Sequence, residues 1–137
     1  MVKRQIVHKR LQKLDEYLAI LQEAQKYSFE EFIASPERYG SVERFLQLAL
    51  EVLLDLGNHI VADDELGEVG YQRDIPALLA EHGYISPDLR ETWFQMIGFR
   101  NILVHDYAEI DHQIVYNVLQ HRLPDFLALR SAFAQFL

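Results

Sequence analysis

The stretch that decides the fold is SVERFLQLALEVLLDLGNHIV, residues 41–61. Its apolar residues recur at intervals of three and four, which is the period of an α-helix rather than of a β-strand. They also cover most of the helix circumference, and a helix with that pattern is buried on several sides. We therefore expect a helix from Glu37 or Ser41 to Val61 that is central in the protein or also meets a second subunit.

Similar patterns predict further helices on both sides of this segment. Upstream, residues from about Val2 to Lys26 carry one apolar stripe, and Ser28 to Glu31 form a capping-box pattern that opens a short helical turn. Downstream, the predicted helices run from about Asp74 to His82, from Asp88 to Leu103 after the cap Ser86-Pro87, and from Asp111 nearly to the C-terminus with a kink at Pro124. The sequence thus predicts one all-α domain, residues 1–137, folded as an antiparallel bundle of about five helices.

The composition favours a globular protein of the cytoplasm. Half of the 137 residues are hydrophobic, which is enough for a buried core. Cysteine is absent, so disulfides, thiolate catalysis and cysteine-ligated zinc are excluded. No uninterrupted apolar run approaches the ~20 residues that a membrane span needs, and the basic N-terminus lacks the features of a secretory signal. We expect no association with a membrane.

Charge is distributed unevenly along the chain. The net charge is −8, but residues 1–13 carry five Lys or Arg side chains and no acidic one, whereas the remaining 124 residues carry 8 basic and 21 acidic side chains. Phosphate contact needs a basic surface, so the net charge argues against a simple electrostatic nucleic-acid binder. RNA would require a local basic site, and the N-terminal cluster either borders such a site or is a solvated helix face. The acidic remainder would suit a basic partner protein.

The residues that offer most chemistry are Arg100-Asn-Ile-Leu-Val-His105-Asp-Tyr107, at the end of the fourth predicted helix. On an ideal helix Arg100 and Tyr107 lie about 20° apart, whereas Arg100 and His105 lie about 140° apart. Arg100 and His105 can act on one small ligand only if the helix frays near Val104, or if a second subunit supplies one of them. The simpler alternative is a helix C-terminus with ordinary cationic side chains and a tyrosine ring packed on the core.

A second group of polar residues lies within the central helix. Glu51, Asp55 and His59 follow one another at intervals of four, which places them on one face where they could offer ligands to a metal ion. Two carboxylates and one histidine on a buried helix are more often a polar stripe bonded to neighbouring helices, so we expect neither a metal site nor a cofactor. The pair Asn58-His59 is a further candidate for contact with the motif.

Residues 100–107 match RNxLVHxY, the extended form of the Rx4–6H motif of HEPN-domain proteins. The sequence resembles the HepT-type toxin family of that group, also called DUF86, over essentially its whole length. The likeness includes the chain length, the order of the helices and the long central helix with Glu43-Arg44 near its start. It implies an all-α homodimer in which two copies of the motif lie beside a cleft at the subunit interface.

The resemblance also implies an activity and partners. Members of the family act as metal-independent endoribonucleases, the toxins of toxin–antitoxin systems. Their antitoxin is an MNT-type nucleotidyltransferase that can transfer AMP to the motif tyrosine, here Tyr107. By this likeness Arg100 and His105 would be catalytic, and Asn101 and Tyr107 would support them at the RNA substrate. The residue types fit, because histidine exchanges protons near neutral pH and arginine stabilises negative charge on a phosphorane.

Two further functions stay open alongside the ribonuclease. Some members of the family are described as non-catalytic substrate- or nucleotide-binding subunits that dock a nucleotidyltransferase, and the net acidity mildly favours such a protein-binding role. A purely structural helical dimer is the other alternative. The complete motif favours the ribonuclease and the binding subunit over the structural dimer.

Overall fold

The structure, a computed structural model, describes residues 2–105, apart from the side chain of His105, and residues 110–137. Regular structure in these residues is entirely α-helical, which confirms the predicted fold class. The helices are α1 (Arg4–Ala24), α2 (Phe29–Ile33), α3 (Pro36–Asp63), α4 (Asp74–Glu81), α5 (Pro87–His105), α6 (His112–His121) and α7 (Leu123–Ala134). Tyr107 lies outside the described residues.

Helix α3 is the centre of the bundle and contacts each of the other six described helices. It begins at Pro36, because a proline in the first turn gives up no helical hydrogen bond and has a backbone angle suited to a helix start. Ten of its residues are buried, and Leu46, Leu53 and Ile60 are fully enclosed. The prediction of a central helix is therefore confirmed.

Within the described residues, α3 is also the one helix long and apolar enough to cross a membrane by length and composition. Half of its most apolar window is buried inside the protein. The core helix of a globular protein passes the same test, and contacts with all of the surrounding helices account for the apolar composition of α3.

Local capping and one proline explain why the described residues form seven helices where about five were predicted. The predicted turn after Ser28 is helix α2, and its capping box is complete, since Glu31 N donates to Ser28 Oγ at 3.2 Å and Ser28 N donates to Glu31 Oε1 at 3.0 Å. The prediction of a kink at Pro124 was wrong, because α6 ends at His121 and a separate helix begins at Leu123. Proline cannot donate to the carbonyl four residues earlier and its ring crowds that carbonyl, so the helix is interrupted and restarts.

Helices α3, α4 and α5 approach one another closely at Gly57. A Cβ atom there would lie 2.5 Å from Ile75 Cγ2 on α4 and 2.8 Å from Trp93 Cη2 on α5. Both distances are shorter than van der Waals contact, so a glycine is required for this packing. Trp93 is fully buried and holds the middle of α5 in the core. The course of α5 is thus set by the central helix.

Helix α5 carries the first part of the motif. Its predicted N-terminal cap is confirmed, since Leu89 N donates to Ser86 Oγ at 3.1 Å. The helix continues to His105, two residues beyond the predicted end at Leu103. Leu103 is buried and anchors the end of α5, whereas Asn101 is exposed. The motif therefore starts on a helix that is packed on one side and open on the other.

Candidate functional site

An ion pair with the central helix holds Arg100 in place. Arg100 Nη2 lies 3.0 Å from Glu51 Oε1, and the two side chains are 17% and 33% exposed. Gln47, one turn earlier on α3, donates a hydrogen bond from Nε2 to the same carboxylate oxygen at 3.1 Å. Ion pairs that are partly withdrawn from water are screened less by salt than ion pairs that are fully exposed. The position of the guanidinium is therefore set by α3 as well as by α5.

The other donors of Arg100 find few acceptors among the described residues. Nη1 donates to Asn101 Oδ1 over 3.4 Å, which is a long hydrogen bond. Nε is buried, and no described group accepts a hydrogen bond from it. Buried donors in native proteins almost always have an acceptor, which is a protein group or an ordered water molecule.

The backbone of α5 stays helical through Val104 and His105, so the motif does not fray at the point where fraying would bring Arg100 and His105 together. Over five residues of continuous helix these two positions project about 140° apart around the axis. The two backbone positions therefore lie on different faces of α5. The side chain of His105 and all of Tyr107 lie outside the described residues, and their roles stay predictions.

An open cavity of about 420 Å³ adjoins Arg100 and Asn101. The residues that complete its lining are Ile97 on α5 and Tyr71, Gln72 and Arg73 in the loop before α4. Sequence reasoning missed this loop, because no spacing pattern connects residues 71–73 with a motif that starts at residue 100. The fold brings the two together by packing α4 and α5 on the same side of α3.

The basic N-terminal cluster lies on α1, next to the central helix. Lys9, Arg10 and Lys13 are exposed and border an open cavity of about 500 Å³. Arg10 Nη1 lies 3.4 Å from Asp55 Oδ2 on α3. Because Asp55 follows Glu51 by one helical turn, carboxylates on one face of α3 pair with the basic face of α1 and with the motif arginine.

The residues considered as metal ligands each have a different partner. Glu51 and Asp55 pair with the arginines of α5 and α1, and His59 Nε2 lies 3.1 Å from Asp63 Oδ2 on its own helix. Among residues 2–105 and 110–137, no three His, Asp or Glu side chains are grouped so that they could hold a metal ion. The polar-stripe interpretation accounts for the two carboxylates. In the described part of the chain, Glu51 rather than Asn58-His59 contacts the motif arginine.

A second acid–base pair fixes the start of α6, the helix that follows residues 106–109. His112 Nδ1 lies 3.7 Å from Glu43 Oε1 on α3, and the ring centroids of Tyr39 and His112 are 4.3 Å apart. Burial raises the pKa of the Glu43 carboxyl above its usual range, and the charge on His112 opposes that rise. The chain thus returns to the central helix directly after the motif.

Comparison with known protein sequences finds a family and relatives. The model of the HepT-like family, described as ribonuclease HepT-like, matches residues 14–132. An mRNA nuclease HepT of Shewanella oneidensis is 42% identical over 81 residues, which are 59% of this chain and 61% of that protein. A tRNA nuclease HepT of Aphanizomenon flos-aquae is 26% identical over 121 residues, which are 88% of this chain and 82% of that protein. The match thus spans less than two thirds of the Shewanella relative.

Solved structures with the same fold include toxins in complex with their antitoxins. A tri-AMPylated Shewanella oneidensis HEPN toxin in complex with MNT antitoxin superposes with a TM-score of 0.87 at 30% identity, covering 95% of this chain and 97% of that one. A toxin–antitoxin structure with AMP-PNP has a TM-score of 0.84 at 30% identity, with 93% and 97% covered. The Bacillus subtilis cytosolic protein YutE, of unknown function, has a TM-score of 0.84 at 19% identity, with 99% and 91% covered, and shows the fold alone.

Proposed function

The chain belongs to the HepT-like ribonuclease family, and from that premise we propose that it is an endoribonuclease and the toxin of a toxin–antitoxin system. Two curated relatives are named nucleases, one of mRNA and one of tRNA, and a similar structure is a HEPN toxin in complex with MNT antitoxin. The observation on this chain that carries the proposal is Arg100, fixed by Glu51 beside an open cavity and on a helix that continues to His105.

We propose that cleavage proceeds without a metal and uses the 2′-hydroxyl of RNA as the nucleophile. The 2′-oxygen forms a bond to phosphorus while the bond from phosphorus to the 5′-oxygen breaks, which leaves a 2′,3′-cyclic phosphate and a 5′-hydroxyl. A base takes the proton of the 2′-hydroxyl and an acid protonates the departing 5′-oxygen. Histidine, with an ordinary pKa of about 6.5, can act in either step, and this is the role we assign to His105.

Arg100 would stabilise the charge that develops on the phosphorane. A guanidinium is permanently charged and can bind two phosphate oxygens with two parallel hydrogen bonds. The ion pair with Glu51 occupies Nη2, which leaves Nη1, the donor of the long hydrogen bond to Asn101, for a phosphate oxygen. We assign Asn101 and Tyr107 to binding of the RNA beside this group.

A homodimer supplies what one chain lacks in this scheme. Each chain has one motif histidine, whereas the reaction needs a proton acceptor and a proton donor. The angle of about 140° between positions 100 and 105 also separates the two catalytic residues of one chain. Two-fold pairing is the commonest form of association and would bring two copies of the motif to one cleft.

The antitoxin partner in this proposal is an MNT-type nucleotidyltransferase that transfers AMP to Tyr107. The phenol oxygen would form a bond to the α-phosphorus of ATP, and pyrophosphate would leave. Support comes from the similar toxin that is AMPylated in complex with its MNT antitoxin. The phosphate of the added AMP could pair with the guanidinium of Arg100 and occupy the place of RNA. RNA and ATP are both available in the cytoplasm, which is where we place the protein.

Expression in a bacterial host separates this function from the alternative, a non-catalytic subunit that binds substrate or nucleotide for a nucleotidyltransferase. The net charge of −8 is the feature that mildly favours the alternative. The toxin should arrest growth, the Arg100→Ala variant should not, and the co-expressed transferase should restore growth. If the wild-type protein and the Arg100→Ala variant both bind the transferase and neither arrests growth, the protein is a non-catalytic binding subunit.

A further inference from the structure

We propose that Tyr71 and Arg73, in the loop before α4, form a nucleobase-stacking subsite for the nucleotide next to the scissile phosphate of single-stranded RNA. The proposal rests on the ribonuclease function above and adds residues that select and hold the substrate. Neither residue belongs to the RNxLVHxY motif. The fold, rather than the sequence pattern, places them at the cavity beside Arg100.

Tyr71 is an aromatic residue displayed on a fixed backbone. It is 77% exposed, more than any other large hydrophobic residue in the described part of the chain. Its position is nevertheless set, because the Asp74 carboxylate accepts hydrogen bonds from Gly70 N at 3.0 Å and from Tyr71 N at 2.8 Å. An exposed ring on an anchored loop loses little freedom when a ligand packs against it.

Arg73 contributes a positive charge that is oriented but not neutralised. Its guanidinium carbon lies 5.0 Å from the centroid of the Phe94 ring on α5, a distance at which the ring face attracts a cation. The residue is exposed, and no carboxylate among the described residues forms an ion pair with it. In a protein with a net charge of −8, this unpaired cation next to the motif arginine favours an anionic ligand.

The cavity joins these residues to the motif. It measures about 420 Å³, which is within the range of roughly 300–1,000 Å³ that small-molecule sites occupy. One aromatic face, two guanidinium groups and the amides of Gln72 and Asn101 line it. Proteins that bind unpaired bases use this set, in which rings stack on the base, amides bind its edges and cations bind the backbone.

The test measures binding and cleavage of a short single-stranded RNA that carries 2-aminopurine beside the scissile phosphate. Stacking on Tyr71 should quench the fluorescence, and Tyr71→Ala should abolish the quenching and raise KM roughly 5- to 150-fold, the range expected for loss of one base–aromatic stack. The turnover number kcat should change much less, because Tyr71 does not contact the reacting atoms. Tyr71→Trp, in contrast to Tyr71→Ala, should keep both the quenching and the KM of the wild-type protein, since the larger ring also stacks.

One control and one further variant make the assignment specific. Leu127→Ala removes another exposed hydrophobic side chain, 41% exposed on α7, and should alter neither fluorescence nor KM. Arg73→Ala should weaken binding and reduce the dependence of affinity on salt, because one phosphate contact is lost. Thermal unfolding of each variant confirms that the fold is retained.

Two outcomes would overturn the subsite while leaving the proposed ribonuclease function in place. One is unchanged KM and unchanged quenching in Tyr71→Ala while Arg100→Ala abolishes cleavage. Another is dissociation of a dimer, or loss of transferase binding, as the sole effect of Tyr71→Ala, because the residue would then be a protein contact. The fluorescence binding assay needs no cleavage, so it tests the subsite even if the wild-type protein proves to be inactive on RNA.

Discussion

The Glu51 carboxylate on α3 and the Arg100 guanidinium on α5 lie 3.0 Å apart, and this ion pair connects the motif to the central helix of the bundle. Glu51 is the first of the three polar residues spaced at intervals of four on α3, and its partner lies 49 residues away in the sequence. Glu51, which was considered as a metal ligand from the sequence, thus positions Arg100, the residue proposed to stabilise charge on phosphate.

The first prediction concerns this pair. Glu51→Gln should destabilise the protein by about 1–2 kcal/mol, because a mostly buried guanidinium loses its counter-charge. It should also lower kcat for RNA cleavage roughly 10- to 100-fold, since Arg100 is no longer held in place. Asp55→Asn is the matched control one turn further along α3, where the pair with Arg10 is 62% and 44% exposed. Urea unfolding and RNA cleavage should show that this control stays within about 0.5 kcal/mol of wild type and is fully active. Equal effects of the two substitutions would contradict the positioning role of Glu51.

The second prediction concerns the packing that places α5. Gly57→Ala should reduce the free energy of unfolding by about 1–3 kcal/mol, because the added methyl group must displace Ile75 and Trp93. Gly40→Ala is the control on the same helix, where a Cβ atom would meet nothing within 4 Å. That substitution should stabilise α3 by up to about 1 kcal/mol through helix propensity. Urea denaturation measures both, and a stabilised Gly57→Ala protein would show that the three helices are not packed as described.

Local patterns in the sequence were sufficient for the helical class and for the central helix. The apolar period of residues 41–61 is a property of neighbouring residues, and a helix that is apolar nearly all round has to be buried. The break near Pro124 was harder to predict, since a proline either bends a helix or ends it, depending on what its flanking turns pack against. The arrangement of the site could not be predicted from the sequence, because the contact between Glu51 and Arg100 and the position of Tyr71 at the cavity beside Arg100 depend on how α3, α4 and α5 pack together.

The third prediction concerns the oligomeric state. Sedimentation equilibrium at micromolar concentration should give about twice the protomer mass of 16.1 kDa. The reason for this expectation is that positions 100 and 105 lie on different faces of a continuous helix, and the proposed mechanism therefore draws on a second copy of the motif. Mixing inactive Arg100→Ala and inactive His105→Ala proteins should also restore partial activity through mixed dimers. A monomeric protein that cleaves RNA would exclude sharing of the site between subunits.

The fourth prediction concerns Tyr107. After co-expression with the partner nucleotidyltransferase, intact mass spectrometry should show one or more added AMP units on the wild-type protein and none on Tyr107→Phe. Growth arrest by Tyr107→Phe should then escape neutralisation that depends on transferase activity, because no phosphate can be placed against Arg100. Tyr116→Phe is the control, since that hydroxyl is already occupied in a 2.7 Å hydrogen bond to the Tyr27 carbonyl oxygen. An equal mass shift on Tyr107→Phe would place the modification elsewhere.

Cleavage of RNA by the purified protein tests the central claim most directly. The assay compares wild type, Arg100→Ala, His105→Ala and the Gly40→Ala control, all prepared in parallel, on a labelled RNA in the presence of EDTA. Wild type and Gly40→Ala should cleave equally with EDTA and leave a 2′,3′-cyclic phosphate, whereas the two motif variants should lose at least about 100-fold in rate while remaining folded. Cleavage by His105→Ala at the wild-type rate, or loss of wild-type activity in EDTA, would contradict the proposed mechanism.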